Sequence, residues 1–169
     1  MGRIHPGSGR LGSLVLLAIV ALLILRPWEG HPDEGPASVM ALVTRVVDGD
    51  TIEARIDGQL EDVRYIGVDT PETVKPGEPV QCYGPEASEF NHELVDGETV
   101  RLVFDRELRD VYDRLLAYVY VGNRFVNAAL VRGGYARTLE IPPNTSRAGR
   151  LAALEQRAGE RGLGLWAAC

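Results

Sequence analysis

From Thr51 to Ile56 apolar and polar residues alternate strictly, with Ile52, Ala54 and Ile56 on one side and Thr51, Glu53 and Arg55 on the other. That is the period of a half-buried strand. Met40 to Val47 before it is also strand-like and stops at Asp48-Gly49-Asp50. Asp57-Gly58 is a strong hairpin signal. The chain then returns through Gln59 to Val68 with Val63, Tyr65 and Gly67 on one face, so a three-strand meander is expected. After a loop from Asp69 to Gly84, the spacing changes to that of a helix over Pro85–Val95. Proline opens its first turn, and Ala87, Phe90 and Leu94 fall at core positions. Thr99–Phe104 and Arg114–Val121 read as a fourth and a fifth strand, joined by the charged loop 105–113. Val126–Arg132 predicts a short helix ending at Gly133-Gly134. Ser146–Gly162 predicts a longer one, with Leu151, Leu154 and Ala158 inward and Ser146 as its cap. Five short antiparallel strands with helices inserted late make an α+β chain. Five is also the strand count of the OB-fold barrel, which binds single-stranded nucleic acids and sugars.

The amino terminus follows neither period. Leu11–Leu25 is a run of fifteen residues without a charge, preceded by Arg3, His5 and Arg10. As a helix it would extend roughly 22 Å. That is short of a full span unless Pro27 and Trp28 contribute, and it also suits the core of a signal peptide. No small-x-small cleavage pattern follows closely, which favours an uncleaved anchor over a removed signal. The basic flank places the rest of the chain outside the cytoplasm in either case. The expected organisation is a signal-anchor or signal peptide at 1–28, a Pro- and Gly-rich acidic linker at 29–37, and one globular domain at 38–169. Membrane contact would run through residues 11–28 if they are retained.

Export changes how the two cysteines read. In an oxidising compartment Cys82 and Cys169 suggest one disulfide pinning the carboxyl terminus, with two unrelated free thiols as the alternative. No CxxC or Cys/His cluster points to zinc. Net charge is −6, and residues 1–36 balance, so the globular part carries all of it. Such a surface does not hold a polyanion through bulk charge. Attraction to nucleic acid would have to be local, from an arginine cluster or a bound cation. Seventeen of the 18 basic residues are arginine; Lys75 is the exception.

Three stretches carry candidate chemistry. Asp48-Gly49-Asp50-Thr51 alone is a tight turn. Val68-Asp69-Thr70-Pro71-Glu72-Thr73 alone is a proline-bordered loop. The hairpin brings the start of strand two beside the end of strand three, so Asp50, Asp69 and the Thr70 carbonyl could converge as oxygen ligands. Such donors suit Ca²⁺ or Mg²⁺ over Zn²⁺. The third stretch, Arg109-Asp110-Val111-Tyr112-Asp113-Arg114, reads as a solvated charge run except at Arg114, which opens an apolar strand. Arg64 lies between Val63 and Tyr65 inside another. Two arginines near a carboxylate-bound cation would make a phosphate clamp, because each guanidinium offers a planar fork that stays charged.

VDGDT (47–51), R-x-x-x-VDTPET (64–73), YGPEAS (83–88), DRLLAYVYV (113–121) and VNAALVRGG (126–134), in that order, resemble the thermonuclease family. The likeness runs from about Ala41 to Trp166. It implies a staphylococcal nuclease-like domain: an OB-fold barrel with three helices and a Ca²⁺-dependent phosphodiesterase activity on DNA and RNA. Single-stranded or denatured substrate would be favoured, and 3′-phosphorylated products would result. By position it implies Asp50, Asp69 and Thr70 as calcium ligands, Arg64, Glu72 and Arg114 as catalytic residues, and Tyr112 as a substrate contact. Glu72 would accept a proton from the attacking water or orient that water. A monomer is the default expectation.

The chain also departs from the family pattern. Asp113 stands where glycine is usual, so it would either salt-bridge outward or restrain Arg114. Val111 replaces a phosphate-binding lysine. Leu139, Glu140 and Ile141 occupy the stretch where two tyrosines pack on the base. Base stacking is worth about 1–3 kcal/mol per base, so weaker nucleotide affinity is expected. Tyr135 cannot be placed as a substitute, and His92 reads as a surface residue. Two rival readings stay open: a non-catalytic nucleic-acid-binding OB module, and a calcium-stabilised structural domain. The first predicts loss of charged site residues, and the second leaves Arg64, Glu72 and Arg114 without a purpose.

Overall fold

A computed structural model describes residues 1–2, 37–73, 77 and 79–169. The expected anchor, nearly all of the linker, and Lys75 lie outside the described residues. Among those described, no helix is long and apolar enough to cross a membrane. The fold belongs to the unit Gly35–Cys169.

Its elements in chain order begin with β1 (Ser38–Val46), β2 (Thr51–Ile56), β3 (Gln59–Tyr65), β4 (Gly67–Asp69) and α1 (Gly84–Val95). β5 (Thr99–Val103), β6 (Leu115–Val121), β7 (Arg124–Phe125) and α2 (Val126–Gly133) follow. The chain closes with β8 (Arg137–Leu139), α3 (Ala148–Glu160) and α4 (Leu165–Ala168). The main sheet has the order β3-β2-β1-β5-β6-β7. Pairing of β3 with β6 closes the first five strands into a barrel. That closing pair is parallel, with Val63, Arg64 and Tyr65 opposite Leu115, Leu116 and Ala117. The expectation of antiparallel strands throughout is therefore corrected at this seam. Parallel neighbours need a long crossover, and here β4, α1 and β5 supply it.

Alternation accounts for the barrel core. Ile52, Ala54, Val63, Tyr65, Val100, Leu102, Ala117 and Val119 are all buried. The β2–β3 hairpin turns at Asp57 and Gly58, both at positive φ, as a two-residue primed turn demands. The third strand does not run unbroken to Val68 as expected. It breaks at Ile66, after which Gly67 at φ +79° starts β4, which pairs with β8 rather than β2. Gly67 is therefore not a continuation of the Val63–Tyr65 face.

Two buried asparagines tie helices to the barrel. Asn91 on α1 accepts from the Tyr65 hydroxyl at 3.0 Å and donates to the Asp48 carbonyl at 2.9 Å. Asn127 on α2 accepts from the Val119 amide and donates to the Ile66 carbonyl. Phe90 is only partly buried and stacks on Tyr135 at 4.1 Å. The third expected helix starts at Ala148, after Arg147, with no side-chain cap. Ser146 is not the cap: the helix starts one residue later than that would require, and the Ser146 amide donates to the Asp105 carboxylate at 3.0 Å. The short α4 carries the chain to Cys169, which is joined to Cys82 across a Cα–Cα distance of 6.0 Å.

Candidate active site

The turn between β1 and β2 delivers Asp50 to the end of the barrel. Val47 and Asp48 both donate to the Thr51 carbonyl, and the Asp50 carbonyl accepts from Tyr65. Gly49 passes so close to Thr70 that a Cβ there would lie 2.7–2.8 Å from the threonine side chain. Asp50 ends up 4% exposed. Its Oδ2 accepts from the Thr70 amide at 2.8 Å, the Thr70 hydroxyl at 3.0 Å and Arg64 at 2.9 Å. Its Oδ1 accepts from the Thr51 hydroxyl. Burial pushes this carboxyl up to about 6; Arg64 opposes the rise, Asp48 adds to it, and the Thr70 bonds oppose it.

Arg64 stands on β3 directly opposite Thr51. One terminal nitrogen meets Asp50 and the Val68 carbonyl, the latter at 2.8 Å. The other meets Asp69 Oδ1 at 3.0 Å. Two carboxylates from opposite ends of a hairpin and its exit loop therefore bracket one guanidinium. Asp69 is half open to solvent, unlike Asp50.

Glu72 follows on the same exit loop. Gln81 grips its backbone from both sides, donating its amide to the Glu72 carbonyl at 2.9 Å and accepting the Glu72 amide on its side chain at 3.0 Å. Glu72 Oε1 accepts from the Thr73 amide. Gly84 closes the loop against α1, where a Cβ would sit 2.8 Å from Thr73 Cγ2 and 3.1 Å from the Glu72 carbonyl. The disulfide at Cys82 fastens the same segment to the carboxyl terminus.

Arg114 comes from the opposite side, at the end of the 105–113 loop. Asp110, four residues earlier, organises it. Asp110 Oδ2 takes Arg114 Nε at 2.8 Å and a terminal nitrogen at 2.7 Å, while Oδ1 takes the amides of Tyr112 and Arg114 at 3.0 Å each. Burial works against a charged Asp110, but these bonds outweigh it and hold the carboxyl below its usual range. The loop turns at Asp113, which takes φ 67°, a left-handed conformation that Asp tolerates better than most residues. Asp113 points outward, 88% exposed, and meets Arg109 rather than Arg114. Arg109 is itself paired twice with Glu61 on β3, at 2.9 Å on both sides, and also donates to the Asp113 carbonyl.

Arg64, Arg114, Tyr112, Leu116, Leu139 and Ile141 line a cleft of about 350 Å³. The Arg114 guanidinium lies 5.4 Å from the centre of the exposed Tyr112 ring. Leu139 and Ile141 give the cleft an aliphatic side. Val111 is 92% exposed. Tyr135 lines a different, open groove with Tyr83 and Phe90. His92 pairs with Asp96 on the outer face of α1. Sequence reasoning did not single out Asp110, Gln81 or the Glu61–Arg109 pair. Asp110-x-x-x-Arg114 was the one available signal, an acid–base spacing across a tight loop.

A family model described as staphylococcal nuclease homologue matches residues 62–168. A thermonuclease of Staphylococcus intermedius is 41% identical over 163 residues, spanning 92% of this chain and 95% of that protein. A thermonuclease of Staphylococcus hyicus is 38% identical, spanning 89% and 95%. Endonuclease YncB of Bacillus subtilis (strain 168) is 43% identical over 138 residues, spanning 80% of this chain and 65% of that protein.

Proposed function

We propose that this chain, which belongs to the staphylococcal nuclease homologue family, is a calcium-dependent endonuclease that hydrolyses phosphodiester bonds of DNA and RNA. One observation carries the reading. Two oxygen-donor carboxylates share Arg64 at one barrel end, and Arg64 shares a cleft with a second, independently braced arginine, Arg114.

The residues present fit a hard dication. Asp50 and Asp69, with the Thr70 carbonyl, would offer an all-oxygen donor set. Burial raises the Asp50 carboxyl to about 6 against the pull of Arg64, and a cation beside it would favour its charged form. Among the described residues no cluster of three or more His, Cys, Asp or Glu is present. Water and substrate oxygens would therefore complete the shell, as is common where proteins supply few ligands. Held by Asp50 and Asp69, Ca²⁺ would supply Lewis-acid stabilisation of charge on a phosphoryl oxygen.

The side chains do the rest. Arg64, held in place by Asp50, Asp69 and the Val68 carbonyl at the edge of the cleft, offers its guanidinium N–H groups to one phosphate oxygen. Arg114 holds a second phosphate oxygen, and both contacts strengthen as the phosphorane gains negative charge. Arg keeps its protons at working pH, so Arg114 stabilises the leaving alkoxide without protonating it. Glu72 holds the attacking water and accepts its proton. The water oxygen bonds to phosphorus, the 5′ P–O bond breaks, and solvent protonates the leaving oxygen, which leaves a 3′-phosphate. Tyr112 and the aliphatic side of the cleft receive the nucleoside.

We place this activity outside the cytoplasm, the chain anchored by residues 11–28 or secreted after their removal, and monomeric. The basic flank of the apolar run 11–25 supports that placement. The Cys82–Cys169 pair supports it as well. The full-length protein should cleave denatured DNA with calcium, stop with EDTA, and lose activity by orders of magnitude as Glu72→Ala. A folded, calcium-binding protein with no cleavage would make it a nucleic-acid-binding module instead.

A further inference from the structure

An acidic protein that handles a polyanion needs a local source of attraction, and a second arginine cluster lies one step from the cleft. Tyr120 stacks on Phe125 at 4.8 Å with nearly parallel planes. Arg101 lies over the free side of Tyr120 at 4.5 Å, and Arg150 over Phe125 at 5.2 Å. Phe125 meets Tyr118 edge-on, and Arg147 lies 5.9 Å from the Tyr118 ring. These contacts make one continuous ladder from α3 across β6 and β7 to β5.

What sets the ladder apart is that three arginines outside any ion pair lie on one connected set of rings. Among the described residues the site arginines Arg64, Arg109 and Arg114 are in ion pairs, whereas Arg101, Arg147 and Arg150 are in none, a state they share with scattered arginines such as Arg124, Arg132 and Arg137. Arg147 Nε is shielded and lacks an acceptor. Asp105, which borders the ladder at Tyr118, accepts from the Tyr118 hydroxyl and the Ser146 amide rather than from an arginine side chain. Rings hold the three guanidinium groups, and no carboxylate neutralises them. Stacking leaves the N–H edges of a guanidinium available to a phosphate.

The ladder adjoins the cleft. Leu139 and Asn144 line both the cleft and a smaller recess whose far side is Tyr118 and Ala148, next to Arg147. Glu140 also lines the recess; beyond it the rings lead from Tyr118 under Arg147 to Phe125 under Arg150 and Tyr120 under Arg101.

We propose that Arg147, Arg150 and Arg101 form a secondary phosphate-binding track for single-stranded polynucleotide, leading away from the cleft. The inference rests on the nuclease reading, but its binding component can be measured apart from cleavage. The track grips the backbone independently of base sequence and needs no metal. It also makes the enzyme favour long strands over short ones, because a dinucleotide held in the cleft does not reach it.

The test uses the full chain, the variant Arg101→Gln/Arg150→Gln, and a control of equal charge change, Arg45→Gln/Arg55→Gln, on the β1–β2 side. Binding of a single-stranded 30-mer is measured in EDTA against salt. Loss of two phosphate contacts should flatten the slope of log K against log salt by about 1.4, since each contact on a single strand contributes about 0.7. The control should leave the slope unchanged. In calcium, the track variant should raise KM for the 30-mer and leave kcat, and hydrolysis of a dinucleotide, unchanged. Equal slopes in wild type and track variant, or an equal change in the control, would overturn the proposal whatever the activity. A flattened slope in a protein that cleaves nothing would keep the track and sink the nuclease reading.

Discussion

Two walls of the candidate site are held by opposite means, and the cleft meets the first of them through Arg64 and Val68 rather than through its carboxylates. The wall that carries Asp50, Asp69, Thr70 and Glu72 is fixed from within: a 4%-exposed carboxylate bonded four ways, glycines that permit contact distances no side chain could, and a disulfide behind the loop. The wall that carries Arg114 is fixed nearer the surface, by half-exposed ties between Asp110 and Arg114 and between Glu61 and Arg109. Buried ties couple function to stability, because losing one partner strands the other in low dielectric. Exposed ties add little stability, yet they can still govern where a side chain points.

The largest effects should expose that difference directly. Arg64→Ala and Arg114→Ala should each lower kcat by about 10³, the cost of removing one preorganised donor to developing charge. They should part in thermal denaturation. Arg64→Ala leaves Asp50 buried beside a missing cation and should lose about 3 kcal/mol. Arg114→Ala should stay within about 0.5 kcal/mol of wild type. Equal stability losses would erase the distinction between the walls.

Gly49→Ala comes next and touches the first wall alone. The new Cβ would press on Thr70, whose amide and hydroxyl hold Asp50, so the whole turn must move. The expected loss is about 1–3 kcal/mol, as for overpacking elsewhere, together with weaker calcium binding by calorimetry. Stability lost with calcium affinity intact would show that Gly49 supports the turn but not the ligands.

What the sequence made legible follows the same division. Alternation in β2 and β3 located the barrel, and the hairpin implied that Asp50 and Asp69 share an end, because those features depend on period and turn chemistry. The chain gave no local signal for the break at Ile66, since Gly67 reads equally well as a strand residue until β8, some seventy positions later, claims its partner. Ser146 looked like a cap by residue type, and only the distant Asp105 explains why its amide is spoken for. Asn91 and Asn127 read as ordinary helix residues, though each closes a bond to a strand far away in the chain. In the site, residue types along short motifs were visible and their braces were not. Gln81 and Glu61 act through partners that only the fold brings near.

Asp110→Asn tests the second wall at its hinge. The amide can still accept from the Tyr112 and Arg114 backbone, but it cannot neutralise the guanidinium. A side chain left loose by about an ångström loses up to about 10² in rate, so a fall in kcat of roughly tenfold is expected, with KM and melting temperature nearly unchanged. The wild-type carboxyl sits below its ordinary value, so the tie is complete at neutral pH and is lost only as pH falls through that lowered value. Wild-type kcat should therefore hold its share from this tie down through weakly acid pH, and the asparagine variant should show no acid limb of that origin. A variant as fast as wild type would mean Arg114 aims itself.

The smallest effect is the most diagnostic, because it acts two contacts away from the chemistry. Arg109 holds the Asp113 carbonyl and is held by Glu61, and Asp113 is the left-handed residue that turns the loop into Arg114. Glu61→Gln and Arg109→Gln should each leave the melting temperature nearly unchanged, as is usual for half-exposed pairs, and lower kcat a few-fold. The exchanged pair Glu61→Arg/Arg109→Glu restores the attraction but not the donation to the Asp113 carbonyl. If the ion pair alone sets the loop, the exchange should recover most of the rate; if the carbonyl bond sets it, the exchange should be no better than Arg109→Gln. We expect the second result, because Arg109 reaches the turn itself through that bond, whereas Glu61 only steadies the guanidinium that makes it.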